Sequence, residues 1–105
     1  MAVACAAMTM EVVDVEPMCR YELLEDGELL GYLSYTDHPA TEDAVPVRDL
    51  QHTVIDPDQR GRGLGSVLVP AVIDDIRTRD AKLVPTCPFV RAWLDDHPEH
   101  QDLLV

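Results

Sequence analysis

Basic residues are scarce in this chain. Eight Lys and Arg stand against 20 Asp and Glu, a net charge of −12 over 105 residues. Nucleic-acid binding depends on neutralising phosphates with a basic face, so no nucleic-acid partner is expected. The same imbalance excludes anionic membrane surfaces and favours cationic partners. Cysteine is also scarce. Cys5, Cys19 and Cys87 are odd in number and without paired spacing, which implies neither a disulfide framework nor a zinc knuckle. His97, Glu99 and His100 with Asp95 and Asp96 straddle a helix break at Pro98, so no metal site is expected there. No apolar run is long enough to span a bilayer: Met1–Met10 is too short and lacks a basic flank. It reads as a poorly ordered leader over residues 1–9. One domain over residues 10–105 follows, and the protein is expected to be cytoplasmic. There is no internal repeat and no low-complexity segment.

What is present suits an ordinary globular domain, with 47% hydrophobic and 27% charged residues. A chain of this length buries roughly two-thirds of its unfolded surface, enough for a core without staples. Met10–Glu16 alternates weakly and predicts a short first strand. Arg20–Glu25 and Glu28–Tyr35 flank Asp26-Gly27, a strong hairpin signal. Thr36–Val47 has no period and predicts a long loop, whose Asp37, Glu42 and Asp43 are a solvated acidic stretch or an attractor for a cationic amine. Asp49–Ile55 predicts a strand, with Leu50, His52 and Val54 on one face and Gln51, Thr53 and Ile55 on the other. Gly65–Arg79 has helical spacing, although Pro70 predicts either a later start near Val67 or a kink. Ala81–Val84 reads as a buried strand. Pro88 and Pro98 each predict a helix start, for short helices over Phe89–Leu94 and around Glu99–Leu104, with Asp95 and Asp96 suited to capping the last.

Between the Asp49–Ile55 strand and the long helix lies Gln59-Arg60-Gly61-Arg62-Gly63-Leu64-Gly65-Ser66. Its glycines leave backbone N–H groups unobstructed at a helix start, which suits an anion such as a pyrophosphate. The alternative is a glycine turn that only links strand to helix. A Walker loop would need a lysine before Ser66. A dinucleotide fingerprint would need its third glycine three positions after the second, whereas Gly61, Gly63 and Gly65 are spaced by two.

The pattern Arg60-x-x-Gly63-x-Gly65, directly after Val54-Ile55-Asp56-Pro57, resembles the acyl-CoA pyrophosphate loop of the GNAT superfamily of N-acetyltransferases. His52-Thr53-x-Ile55, Pro85-Thr86-Cys87-Pro88-Phe89-Val90 and His97-Pro98-Glu99 look like the small single-domain members of bacteria. The resemblance covers roughly Arg20 to Leu104 and is strongest from Leu50 to Pro98. It implies an α/β fold: a mixed, mostly antiparallel sheet splayed around acyl-CoA, with a glycine-loop helix and short C-terminal helices. It also implies truncation, with little room for two helices after the first strand and no strands after Leu94.

The resemblance further implies an acetyl-CoA-dependent N-acetyltransferase that works by direct attack of a primary amine, with coenzyme A as co-substrate and no metal. Val54 and Ile55 would offer backbone groups to pantetheine. Arg60, Gly61, Arg62, Gly63, Leu64, Gly65 and Ser66 would hold the pyrophosphate. His52 is the expected general base, as histidine titrates nearest neutrality. Many GNAT enzymes use a late tyrosine as acid. Here Tyr21, Tyr32 and Tyr35 all precede the glycine loop, and the region offers Cys87, whose place at a helix start predicts a lowered thiol pKa. Cys87 is therefore a candidate acid, acetyl acceptor or disulfide partner for coenzyme A, or a small buried residue. The acceptor amine is a small molecule or a protein lysine, and the chain a monomer or weak homodimer. The other readings are a non-catalytic acyl-CoA-binding module that senses acyl-CoA, and an acyl carrier through Cys87.

Overall fold

The computed structural model describes residues 10–105; the leader over residues 1–9 lies outside them. Five strands form one sheet in chain order: β1 Met10–Val15, β2 Arg20–Glu25, β3 Glu28–His38, β4 Val47–Ile55 and β5 Lys82–Pro85. The first four pair antiparallel and β5 joins β4 in parallel. β1 and β2 are joined by a single 3₁₀ turn over Glu16–Met18, so no helix pair intervenes. Asp26 and Gly27 both take positive φ, 50° and 86°, which is why this dipeptide closes the β2–β3 hairpin in two residues.

Two helices follow, α1 Gly65–Thr78 and α2 Pro88–Asp95. Leu68, Val69, Val72, Ile73 and Ile76 of α1 and Val90 and Leu94 of α2 are buried, in one cluster with Tyr21, Leu23, Leu33, Tyr35 and Leu50 of the sheet. α1 begins at Gly65 rather than Val67 and continues through Pro70. The amide that proline lacks would have met the carbonyl of Ser66, which is exposed and so open to water. The last helix is instead a 3₁₀ segment over Pro98–Leu103, whose N-cap position is His97 with no side-chain cap, so Asp95 and Asp96 do not cap it. The loop between β3 and β4 is shorter than expected. Thr36, Asp37 and His38 pair with Asp49, Arg48 and Val47, because Arg48 grips Asp37 through Nε at 2.6 Å and Nη2 at 2.8 Å. Asp37 is thus committed to an ion pair rather than to a loop.

Arg48 is the centre of a polar network at the end of the sheet away from the glycines. It is 6% exposed. Its Nη1 donates to Asp14 at 3.0 Å and to the Tyr21 hydroxyl at 2.8 Å, and its guanidinium lies 3.9 Å from the Tyr35 ring centre. Tyr21 donates to Asp75 on α1 and Tyr35 to Asp14. Arg79 reaches Asp75 and Asp14 at 2.7 and 2.8 Å. Burial first, and these carboxylate partners second, push both tyrosine pKa values up. An unfolded tyrosine ionises near pH 10, while the folded ones keep their protons above that. The unfolded state therefore binds fewer protons there, and stability falls as pH rises beyond about 10. Urea midpoints measured between pH 8 and 11 check this, and Tyr21→Phe flattens the slope.

Candidate active site

The β4–β5 ladder stops at Leu50–Pro85. One more bond closes the junction, from the Cys87 amide to the Leu50 carbonyl at 2.8 Å. Beyond it β4 runs on from Gln51 to Ile55, paired among the described residues only with β3, so its other edge has no partner among them and faces a slot between β4 and the start of α2. α1 and α2 both begin near this slot, because the chain returns to the same end of the sheet after β4 and after β5.

A bulge decides which side chains enter the slot. Tyr35 pairs with Leu50 and Ser34 with His52, so one step on β3 matches two on β4 and Gln51 is the extra residue. The alternation is thereby reversed. Leu50 shares the core face with Thr53 and Ile55, and not with His52 and Val54 as strict alternation predicts. Thr53 and Ile55 line the groove, while His52 and Val54 are exposed on the opposite face of the sheet.

The groove has a volume of about 300 Å³ and is lined by Thr53, Ile55, Gln59, Arg60, Gly61, Gly63, Leu64, Gly65, Ser66 and Phe89. At one end is the glycine loop. Gly61 and Gly63 have φ of 87° and 72°, a conformation that glycine reaches without strain. The Arg60 amide donates to the Pro57 carbonyl and the Ser66 amide to the Gly63 carbonyl. Among the described residues, the amides of Gly61, Arg62, Gly63, Leu64 and Gly65 have no protein acceptor. Five consecutive free N–H groups at the start of α1 form an anion cradle. Of the two arginines, only Arg60 has a side chain without a partner among the described residues. Arg62 is held by Glu25 at 2.8 Å and by Gln59 at 2.6 Å, and Glu25 pushes its pKa up. It fastens the loop to the β2–β3 hairpin.

Gly65 has a different reason to be glycine. A Cβ built there would press on Phe89, 2.6 Å from its Cε2 atom. The Phe89 ring, 44% exposed, therefore occupies the space of a missing side chain and forms the wall between the loop and α2. Gly65→Ala displaces the ring. Because the ring is half-exposed and Ala is the better helix former, the expected result is stability within about 1 kcal/mol of wild type, read by thermal melting, with weaker acetyl-CoA binding as the displaced ring moves into the groove.

At the other end of the slot, Cys87 precedes α2 and is 4% exposed. Its Sγ lies 3.3 Å from the Thr53 hydroxyl. Burial pushes the thiol pKa up, but the Thr53 hydroxyl and the amides of Val90, Phe89 and Thr53 outweigh it, and the net direction is down. This thiol therefore reaches its thiolate more readily than an ordinary cysteine. Thr53, which spacing alone did not single out, is the residue that links the β4 bulge to Cys87. No group of His, Cys, Asp or Glu that could hold a metal ion occurs among the described residues, and no helix among them is long and apolar enough to cross a membrane.

The profile of the GCN5-related N-acetyl-transferases matches residues 20–103. No curated protein matches the sequence. Among solved structures, the chain is similar to a ribosomal-protein-alanine N-acetyltransferase from Brucella melitensis biovar Abortus, at 17% identity and a TM-score of 0.60, over 95% of this chain and 92% of that one. It is also similar to an acetyltransferase from Trypanosoma brucei, at 20% identity and a TM-score of 0.55, over 82% and 63%. A predicted acetyltransferase from Clostridium acetobutylicum, solved with acetyl-CoA, matches at 13% identity and a TM-score of 0.50, over 80% and 60%. The chain spans less than two-thirds of these last two. At such identities the likeness is one of fold.

Proposed function

The chain belongs to the GCN5-related N-acetyltransferase family, and we propose that it transfers acetyl from acetyl-CoA to a primary amine by direct attack. One observation carries this: five free amides stand at one end of a groove that runs beside a strand edge without partners among the described residues, and the groove's Thr53 touches the buried Cys87 thiol at 3.3 Å. The amides of Gly61–Gly65 would take the pyrophosphate, with Arg60 beside them and the exposed Ser66 hydroxyl at the rim. The free β4 edge, Val54 and Ile55 included, would hydrogen-bond pantetheine, with the Phe89 ring as the opposite wall. The thioester would then lie near Thr53 and Cys87. The amine attacks the thioester carbonyl, the C–S bond breaks, and the departing thiolate takes a proton from the Cys87 thiol or from water in the groove, which replaces that thiol when it is absent. His52, across the sheet, would accept the proton that the amine loses.

The first experiment is a calorimetric titration with acetyl-CoA and with desulfo-coenzyme A. Micromolar binding of both supports the cradle; binding of neither removes this reading. A covalent route through Cys87 is the rival, favoured by the amides around its sulfur. Cys87→Ala separates the two. Direct attack retains activity to within about tenfold, whereas an essential nucleophile loses about 1,000-fold. A non-catalytic sensing module would bind both ligands and turn over no amine.

A further inference from the structure

One face of the sheet has no covering layer among the described residues. The pairings put Val12, Tyr21, Leu23, Leu33, Tyr35 and Leu50 on the core side, and Val13, Leu24, Leu29, Tyr32, His52 and Val54 on the other. None of the second set is buried, and Val13, Leu29 and Val54 are 37%, 41% and 41% exposed. Five strands at a spacing of about 4.8 Å give a surface roughly 20 Å across. A shallow cavity of about 240 Å³ at its hairpin end is lined by Leu29, Leu30, Gly31, Tyr32, Val54, Asp56 and Pro57. The slot between β4 and α2 separates the two faces, and His52 borders it on the uncovered one.

We propose that this face is the docking surface of the acceptor, and that the acceptor is a basic protein segment presenting an amine to the slot. The inference rests on the acetyl-transfer reading above and narrows it. A small amine is recognised by walls that bury most of its surface, and a face without a buried side chain supplies none. A flat, half-apolar surface suits an extended polypeptide with side chains for the Leu29–Tyr32–Val54 cavity. Charge selects the sign of the partner. Glu11 and Asp49 lie on this face and Glu28, Asp56 and Asp58 at its hairpin end, while Glu22 and Arg20 on the same face cancel each other in an ion pair at 2.7 Å. With a net charge of −12, the surface repels acidic segments and draws basic ones.

The test is steady-state acetyl transfer to four acceptors: a lysine peptide with Arg and Lys flanks, the same peptide with Glu flanks, free lysine and spermidine. The basic peptide is expected to show kcat/KM at least about 100-fold above the other three, falling as ionic strength rises. Val13→Lys and Leu29→Lys each raise its KM about tenfold through like charge, with the Kd for acetyl-CoA unchanged. Equal or better use of spermidine or free lysine overturns the proposal, as does a basic-peptide KM insensitive to both variants. If acetyl-CoA itself fails to bind, the transferase reading falls and this inference with it. If acetyl-CoA binds and a small amine is preferred, only the docking surface falls.

Discussion

Gly63→Val is expected to weaken acetyl-CoA binding by at least about 100-fold, or roughly 2.7 kcal/mol. Gly63 sits at φ 72° in the middle of the five free amides. A Cβ there meets nothing within 4 Å, so the substitution does not collide with the protein. Its isopropyl group would instead stand in the groove, in front of the N–H groups that the pyrophosphate needs. The left-handed conformation adds about 1–2 kcal/mol of strain for a residue with a Cβ, and a β-branched one bears it worst. Calorimetry reads the affinity and a thermal melt confirms that the variant is folded. Gly63→Ala keeps the strain and presents less bulk, so it should lie between. Wild-type affinity in Gly63→Val would show that coenzyme A does not use this loop.

The second large effect belongs to stability. Arg48→Met is expected to cost about 3 kcal/mol, the low end of what breaking a buried ion pair costs. The low end applies because Arg79 still faces Asp14 at 2.8 Å and because Asp37 is 51% exposed and screened by water. What Met cannot replace is the donor to Tyr21 and Asp14 and the cation over the Tyr35 ring. For a domain of this size the melting temperature should fall by about 10–20 °C. Arg48→Met also loosens the half of β4 that pairs with β5, so acetyl-CoA affinity should fall with it. A melt within 2–3 °C of wild type would mean that the network contributes no more than surface ion pairs do.

Much of the fold was legible in short stretches of chain. Asp26-Gly27 specified a turn with both residues at positive φ, and Pro88 specified the start of α2, because in each case a few bonds decide. The glycine loop was legible for the same reason, and the family resemblance followed from it. The bulge was not. One extra residue at Gln51 leaves the amphipathic pattern of β4 nearly intact, yet it moves Thr53 into the groove and His52 out of it. Nor was the role of Gly65, whose requirement comes from Phe89, 24 positions later. The Arg62 side chain, which the sequence left as either a phosphate neighbour or a solvated arginine, pairs with Glu25, while its amide stays in the cradle. Asp37 read as part of a loop and is an ion-pair partner of Arg48, because carboxylates so distant in sequence have no local signature.

Backbone chemistry acts over a few residues, so composition, turns, helix starts and the run of unobstructed amides were settled by the chain's own order. Which side chains share a groove is decided by strand register and by packing between distant segments. The meeting of Thr53 with Cys87, of Gly65 with Phe89, and of Arg48 with Asp14, Asp37 and Tyr35 exists only once the sheet has closed on α1 and α2. Only then does the Thr53 hydroxyl join the amides at the start of α2 in lowering the thiol pKa, is the Arg62 side chain drawn to Glu25, and is one face of the sheet left without a covering layer among the described residues.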